Sequence, residues 1–90
     1  MSKFQDDVLS ALRRLEPGEV VTYGEIAAQA GHPGAARAIG NILRKSSGVP
    51  WWRVVSSQGR FVPGCEEEQA RRLTGEGVTV RNGRVVRQEQ

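Results

Sequence analysis

The chain has 90 residues, of which 38% are hydrophobic and 26% charged, with a formal net charge of +3. That fits one compact domain, 1–90, and excludes a wholly disordered chain. One cysteine (Cys65) and one histidine (His32) exclude an internal disulfide and a His/Cys metal site, so neither metal nor cofactor is expected.

Ser2 to Leu15 reads as an amphipathic helix. Phe4, Val8, Ala11, Leu12 and Leu15 recur at helical spacing, Ser2 can cap it, and Pro17-Gly18 ends it. Asp6 and Asp7 lie in this stretch, where a signal peptide carries no acids. No apolar run nears the ~20 residues that cross a bilayer. A cytoplasmic protein with no membrane partner is expected, nucleoid-associated if the source is bacterial.

Val20-Val21 is a short extended segment. Thr22 and Glu25 form a capping-box pattern, predicting a helix through Ile26, Ala27 and Ala30 that Gly31 stops. His32-Pro33-Gly34 is a tight turn. A further helix is predicted from about Ala35 to Lys45, with Ile39, Ile42 and Leu43 as its core stripe. Two short helices across such a turn form a helix-turn-helix candidate.

The other face of that helix carries Arg37, Gly40, Asn41, Arg44 and Lys45. Ala35, Ala36, Ala38 and Gly40 keep its surface low, with Arg37 projecting beyond them. Two readings stay open: small residues admit a neighbouring helix, or they admit an outside backbone or groove edge. The charge suits a polyanion, or is a solvated surface with scattered arginines. From Ile26 to Cys65 there is no Asp or Glu, while Arg37, Arg44, Lys45, Arg53 and Arg60 all fall there.

Ser46-Ser47-Gly48 is a loop. Strands are predicted over Trp52 to Ser56 and Arg60 to Val62, turning at Ser57-Gln58-Gly59. In that arrangement Trp51 and Trp52 point to opposite faces, one to the core and one to a surface or cleft. Cys65 to about Thr74 is predicted as a structural helix with Glu67–Arg71 and Glu68–Arg72 pairs. Val78 to Val80 and Arg84 to Val86 flank Asn82-Gly83, a hairpin signal. Gln88 to Gln90 are expected to fray.

Little here supports covalent chemistry. Glu66, Glu67 and Glu68 crowd Cys65 with negative charge, which disfavours a thiolate, although the start of a helix favours one. No Ser-His-Asp set and no Walker-type glycine loop is present.

Three segments resemble the C-terminal domain of O6-alkylguanine-DNA alkyltransferases. They are Gly18-Glu-Val-Val-Thr-Tyr-Gly-Glu-Ile-Ala27, Gly31-His-Pro-Gly-Ala-Ala-Arg-Ala-Ile-Gly40 and Pro50-Trp-Trp-Arg-Val-Val55. The likeness runs from about Pro17 to Val80. The family's Pro-Cys-His-Arg-Val signature reads Pro50-Trp51-Trp52-Arg53-Val54 here. Trp51 stands at the nucleophile's place and Trp52 at its histidine base's, so the pattern is similar to the alkyltransferase-like proteins. The resemblance implies an α/β fold: a small winged-helix-like domain with a helix-turn-helix and a β-hairpin wing.

It also implies a function. The protein binds double-stranded DNA containing O6-alkylguanine in the minor groove and flips the damaged base. It flags the lesion for nucleotide excision repair proteins without transferring the alkyl group, as a monomer and not as an enzyme. Tyr23, Ala36, Arg37, Gly40, Asn41, Arg44 and Lys45 would contact DNA. Arg37 fills the vacated stack and Tyr23 drives rotation of the nucleotide. Tyr23, Trp51, Trp52, Arg53, Val54 and Arg60 would form the lesion pocket, with the Trp51 and Val54 carbonyls accepting from the guanine amino group. Arg53 is expected either at a phosphate or as a buried structural partner. The loops after Leu43 and after Gly59 are shorter than in the alkyltransferases. Two rivals are carried: a winged-helix transcription regulator, and a true alkyltransferase using Cys65.

Overall fold

The computed structural model describes residues 3–46 and 48–86. Four α-helices, one 3₁₀ turn and two two-stranded sheets follow one another: α1 (Lys3–Arg13), β1 (Val21–Thr22), α2 (Tyr23–Gln29), α3 (Ala36–Lys45), the 3₁₀ turn (Trp51–Arg53), β2 (Val54–Val55), α4 (Glu66–Gly75), β3 (Val80–Arg81) and β4 (Arg84–Val85). The Ser2 cap and the C-terminal Gln88 to Gln90 lie outside the described residues.

The helices follow from their apolar stripes. Val8, Ala11 and Leu12 of α1, Ile26 and Ala27 of α2, and Ile39 and Leu43 of α3 bury together with Leu15, Val21 and Val54 in the main core. The predicted first helix runs on to Leu15, but the regular helix stops at Arg13. The Leu15 N–H turns back to the Leu12 carbonyl at 3.1 Å, and the Leu15 carbonyl accepts from Arg53 Nη1 at 2.8 Å.

α2 begins at the capping box. Thr22 Oγ1 accepts from the Glu25 N–H at 3.1 Å, and Glu25 Oε1 accepts from the Thr22 N–H at 2.7 Å. Gly31, at φ +86°, ends the helix region, and the His32 N–H closes on the Ala27 carbonyl at 2.9 Å. This turn sends α3 back across α2.

The two predicted strands after Pro50 are corrected. Trp51–Arg53 is a 3₁₀ turn, and only Val54–Val55 is extended, pairing parallel with β1 in the register Val21↔Val54 and Thr22↔Val55. The cause lies in the side chains. Trp52 Nε1 and the Arg53 guanidinium both donate to the Glu76 carboxylate, at 2.8 and 2.7 Å. Adjacent side chains of a strand point to opposite faces, so they cannot converge on one acceptor.

Arg60 to Val62 is not a strand either, apart from an isolated bridge between Arg60 and Arg84. The Val62 N–H donates to Gln69 Oε1 at 2.7 Å instead of to a neighbouring strand. Gln69, fully buried on α4, returns its Nε2 to the carbonyls of Trp52 (3.0 Å) and Val54 (2.8 Å). One side chain therefore ties the two loops together where a ladder would have done so.

A second, smaller core of Val55, Phe61, Leu73 and Val85 seats the hairpin. Asn82 (φ 53°) and Gly83 (φ 74°) turn it as the Asn-Gly pair predicts. At Gly59 (φ +80°) an added Cβ would stand 2.8 Å from the Val85 carbonyl oxygen, so the hairpin requires glycine there. Of the two predicted pairs on α4, the structure forms Glu68–Arg72, at 2.8 Å.

Candidate nucleic-acid interface

α3 puts its apolar stripe into the core and leaves Arg37, Asn41, Arg44 and Lys45 exposed, with Ala36 and Gly40 half-buried between them. A cavity of about 310 Å³ opens along this face, lined by Tyr23, Ala36, Arg37, Gly40, Arg44 and the Val62-Pro63 loop.

Gly40 decides between the two readings of the small residues. A Cβ built there meets nothing within 4 Å. Glycine inside a helix costs about 0.5–1 kcal/mol relative to alanine. Among the described residues no packing offsets that cost at Gly40, so the low surface faces outward. Ala35 is different and packs against the main core.

Tyr23 is the first residue of α2, so the capping box fixes where its ring leaves the backbone. The ring packs on the main core and also lines the cavity. Burial pushes the phenol above its ordinary value of 10.0; the Arg44 charge works against this, and Cys65 works with it. The hydroxyl is therefore a neutral donor and acceptor at physiological pH. It has no hydrogen-bond partner among the described residues.

The tryptophans are elsewhere. Trp51 and Trp52 do not line the cavity beside α3. They line a second one of about 590 Å³, together with Arg13, Pro50, Arg53 and Arg72. Their rings stand nearly perpendicular, with centroids 6.1 Å apart. Arg53 and Arg72 place guanidinium carbons 5.1 and 4.6 Å from the Trp52 centroid.

Arg53 is not available to phosphates. It is 9% exposed, pairs with Glu76 and donates to the Leu15 carbonyl. Val54 is fully buried, and its carbonyl already accepts from Gln69. The Trp51 carbonyl accepts from the Val54 N–H at the end of the 3₁₀ turn. Both expected acceptors are thus already bonded within the chain. Arg60 is exposed and lines neither cavity. The expected lesion-pocket set is thus not gathered at one cavity.

Glu76 and Gln69 carry much of this geometry, yet the sequence does not single them out. Burial raises the Glu76 pKa, but hydrogen bonds from Arg53, the Gly18 N–H and Trp52, with the Arg53 charge, outweigh it and hold the carboxyl at about 2. The available signal for Gln69 was its place four residues before Leu73 on the buried face of α4.

Cys65 is half-buried just before α4. His32 is committed elsewhere: its Nε2 lies 2.9 Å from Asp7 Oδ2, and its ring meets Phe4 edge-on at 4.9 Å. Among the described residues no Cys–His pair forms.

The family described as 6-O-methylguanine DNA methyltransferase, DNA binding domain, matches residues 3–78. The chain belongs to that family. It is 38% identical over 85 residues to a Vibrio parahaemolyticus DNA base-flipping protein, covering 89% of this chain and 85% of the relative. It is 37% identical over 87 residues to alkyltransferase-like protein 1 of Schizosaccharomyces pombe, covering 89% and 81%. The crystal structure of S. pombe Atl1 in complex with damaged DNA containing O6-carboxymethylguanine matches with a TM-score of 0.81 at 35% identity. That match covers 90% of this chain and 82% of the other. The fold implied by the resemblance, a helix-turn-helix with a small hairpin, is the one this family member has.

Proposed function

We propose that this protein binds duplex DNA through α3, extrudes O6-alkylguanine and holds it without transferring the alkyl group. The observation that carries the binding is the open, acid-free face of α3, where no described residue lies over Gly40 and Arg37, Arg44 and Tyr23 line one cavity. A phosphate backbone approaches closely there and meets cations. Arg37, exposed beside Ala36, enters the stack as the nucleotide leaves it. Extrusion costs a few kcal/mol and less for a damaged, poorly paired base, which gives selectivity without chemistry.

The relatives named as base-flipping and alkyltransferase-like proteins support this reading, as does the S. pombe structure solved with damaged DNA. Non-transfer rests on Trp51 and Trp52 at the positions that the family's nucleophile and base would fill. An indole offers no thiolate, and Trp52 Nε1 is spent on Glu76. Hand-over to nucleotide excision repair proteins, action as a monomer and a cytoplasmic or nucleoid location belong to the same proposal.

The test is a paired titration with two duplexes identical except for guanine or O6-methylguanine at one position, at a stated salt concentration. Tighter binding of the modified duplex is expected. Equal affinities refute the lesion reading, and preference for one unmodified sequence favours a transcription regulator.

A further inference from the structure

The larger cavity lies between the end of α1, the loop leaving α3, the 3₁₀ turn and α4. It shares no lining residue with the cavity beside α3. Its walls hold both tryptophans of the chain and three arginines, with no carboxylate among them. Two of those arginines are engaged. Arg53 is neutralised by Glu76, and Arg72 is tied to Glu68 at 2.8 Å while resting on Trp52. Arg13, exposed in the last turn of α1, has no ion-pair partner among the described residues.

We propose that this concavity docks a short acidic segment of a partner protein while DNA occupies α3. The proposal rests on the reading that DNA lies on α3. Its own support is the composition and charge of the walls. Tryptophan and arginine are the residues that most often anchor protein interfaces, and here they meet in one concave place. The Trp51 ring, perpendicular to Trp52 and not under a guanidinium, gives a wall for a branched side chain. Arg13 and the exposed edge of Arg72 stand beside it for carboxylates, which gives charge complementarity. A nucleic-acid strand fits less well. Binding of single strands relies on free aromatic faces for base stacking, and two guanidinium groups already lie over the Trp52 ring.

The two tryptophans make the cavity its own reporter, because the chain has no others. The probe is a fluorescein-labelled, tryptophan-free peptide of eight residues alternating glutamate and leucine. Its control has glutamine at every glutamate position. Saturable anisotropy, with a matching change in tryptophan emission, is expected for the acidic peptide alone. Arg13→Gln is expected to weaken binding several-fold, and Arg13→Gln with Arg72→Gln about tenfold. Circular dichroism checks that each variant is folded; Arg13 lies outside the core, so the single variant keeps the test valid if the double one unfolds. Saturating plain duplex is expected to leave peptide binding unchanged.

No saturable signal, equal binding of the glutamine peptide, or no effect of Arg13→Gln overturns the proposal. Displacement by duplex also overturns it and assigns the cavity to nucleic acid. The lesion titration is scored separately on the same preparation, so equal affinity for the two duplexes sinks the lesion reading without altering the peptide result.

Discussion

Replacing Glu76 by glutamine tests the ionic core behind the tryptophans. The carboxylate accepts from Arg53 Nη2 at 2.7 Å and Nε at 3.1 Å, from Trp52 Nε1 at 2.8 Å and from the Gly18 N–H at 2.9 Å. A glutamine keeps one acceptor oxygen and turns an NH₂ group toward donors. It also leaves the Arg53 charge buried without its counter-ion. Two routes give the magnitude. Lowering the Glu76 pKa from 4.5 to about 2 is worth about 3 kcal/mol at neutral pH, each unit being about 1.4 kcal/mol. Breaking a buried ion pair by removing one partner costs about 3–5 kcal/mol.

The pH dependence has a definite sign. A carboxyl whose folded pKa is depressed stabilises the fold above its unfolded pKa, and that contribution is lost as pH falls from about 4.5 toward 2. Urea denaturation of wild type and Glu76→Gln at pH 7 is expected to differ by roughly 3 kcal/mol, and at pH 3 by roughly 1 kcal/mol. The Asp7 carboxyl is also held below its ordinary range by His32 and Lys3. It is common to both proteins and cancels in the difference. A loss under about 1 kcal/mol at pH 7, or the same loss at both pH values, refutes the reasoning.

Other substitutions test the α3 face. Gly40→Ala is expected to stabilise the free protein by up to about 1 kcal/mol, because nothing lies within 4 Å of the new methyl, while weakening duplex binding; thermal melts and titrations read the two effects, and a destabilised variant would show that the glycine serves internal packing. Arg37→Ala is expected to weaken binding of both plain and lesion duplex by about 1–3 kcal/mol; unchanged affinity counts against its entry into the stack. Tyr23→Phe is expected to weaken lesion binding less than Tyr23→Ala in the same titration, since the ring supplies most of the push; equal losses shift the role to the hydroxyl.

Much of the α3 face was legible because its signals are local. The Thr22–Glu25 box, the turn at His32-Pro33-Gly34 and the charged pattern from Arg37 to Lys45 each lie within one or two turns of chain. The hairpin was legible for the same reason, as Asn82-Gly83 specifies its own backbone. The Trp51–Arg53 segment was not, because its conformation is set by Glu76, more than twenty residues further on. Val54 and Val55 carry β-branched side chains that read as a long strand with their neighbours, yet the ladder stops where Trp52 and Arg53 turn to one carboxylate. The loop at Val62 likewise depends on Gln69, whose polar side chain gave no sign that it would replace a strand. The placing of the two indoles in a separate cavity follows from the same long-range bonds.

The central claim is recognition without repair, and mass spectrometry tests it directly. Stoichiometric protein is incubated with a duplex carrying one O6-methylguanine, and the intact protein and the recovered strand are weighed. The account predicts both masses unchanged, with the complex formed. A strand restored to guanine and a protein heavier by one methyl group, at Cys65 or anywhere else, would contradict it.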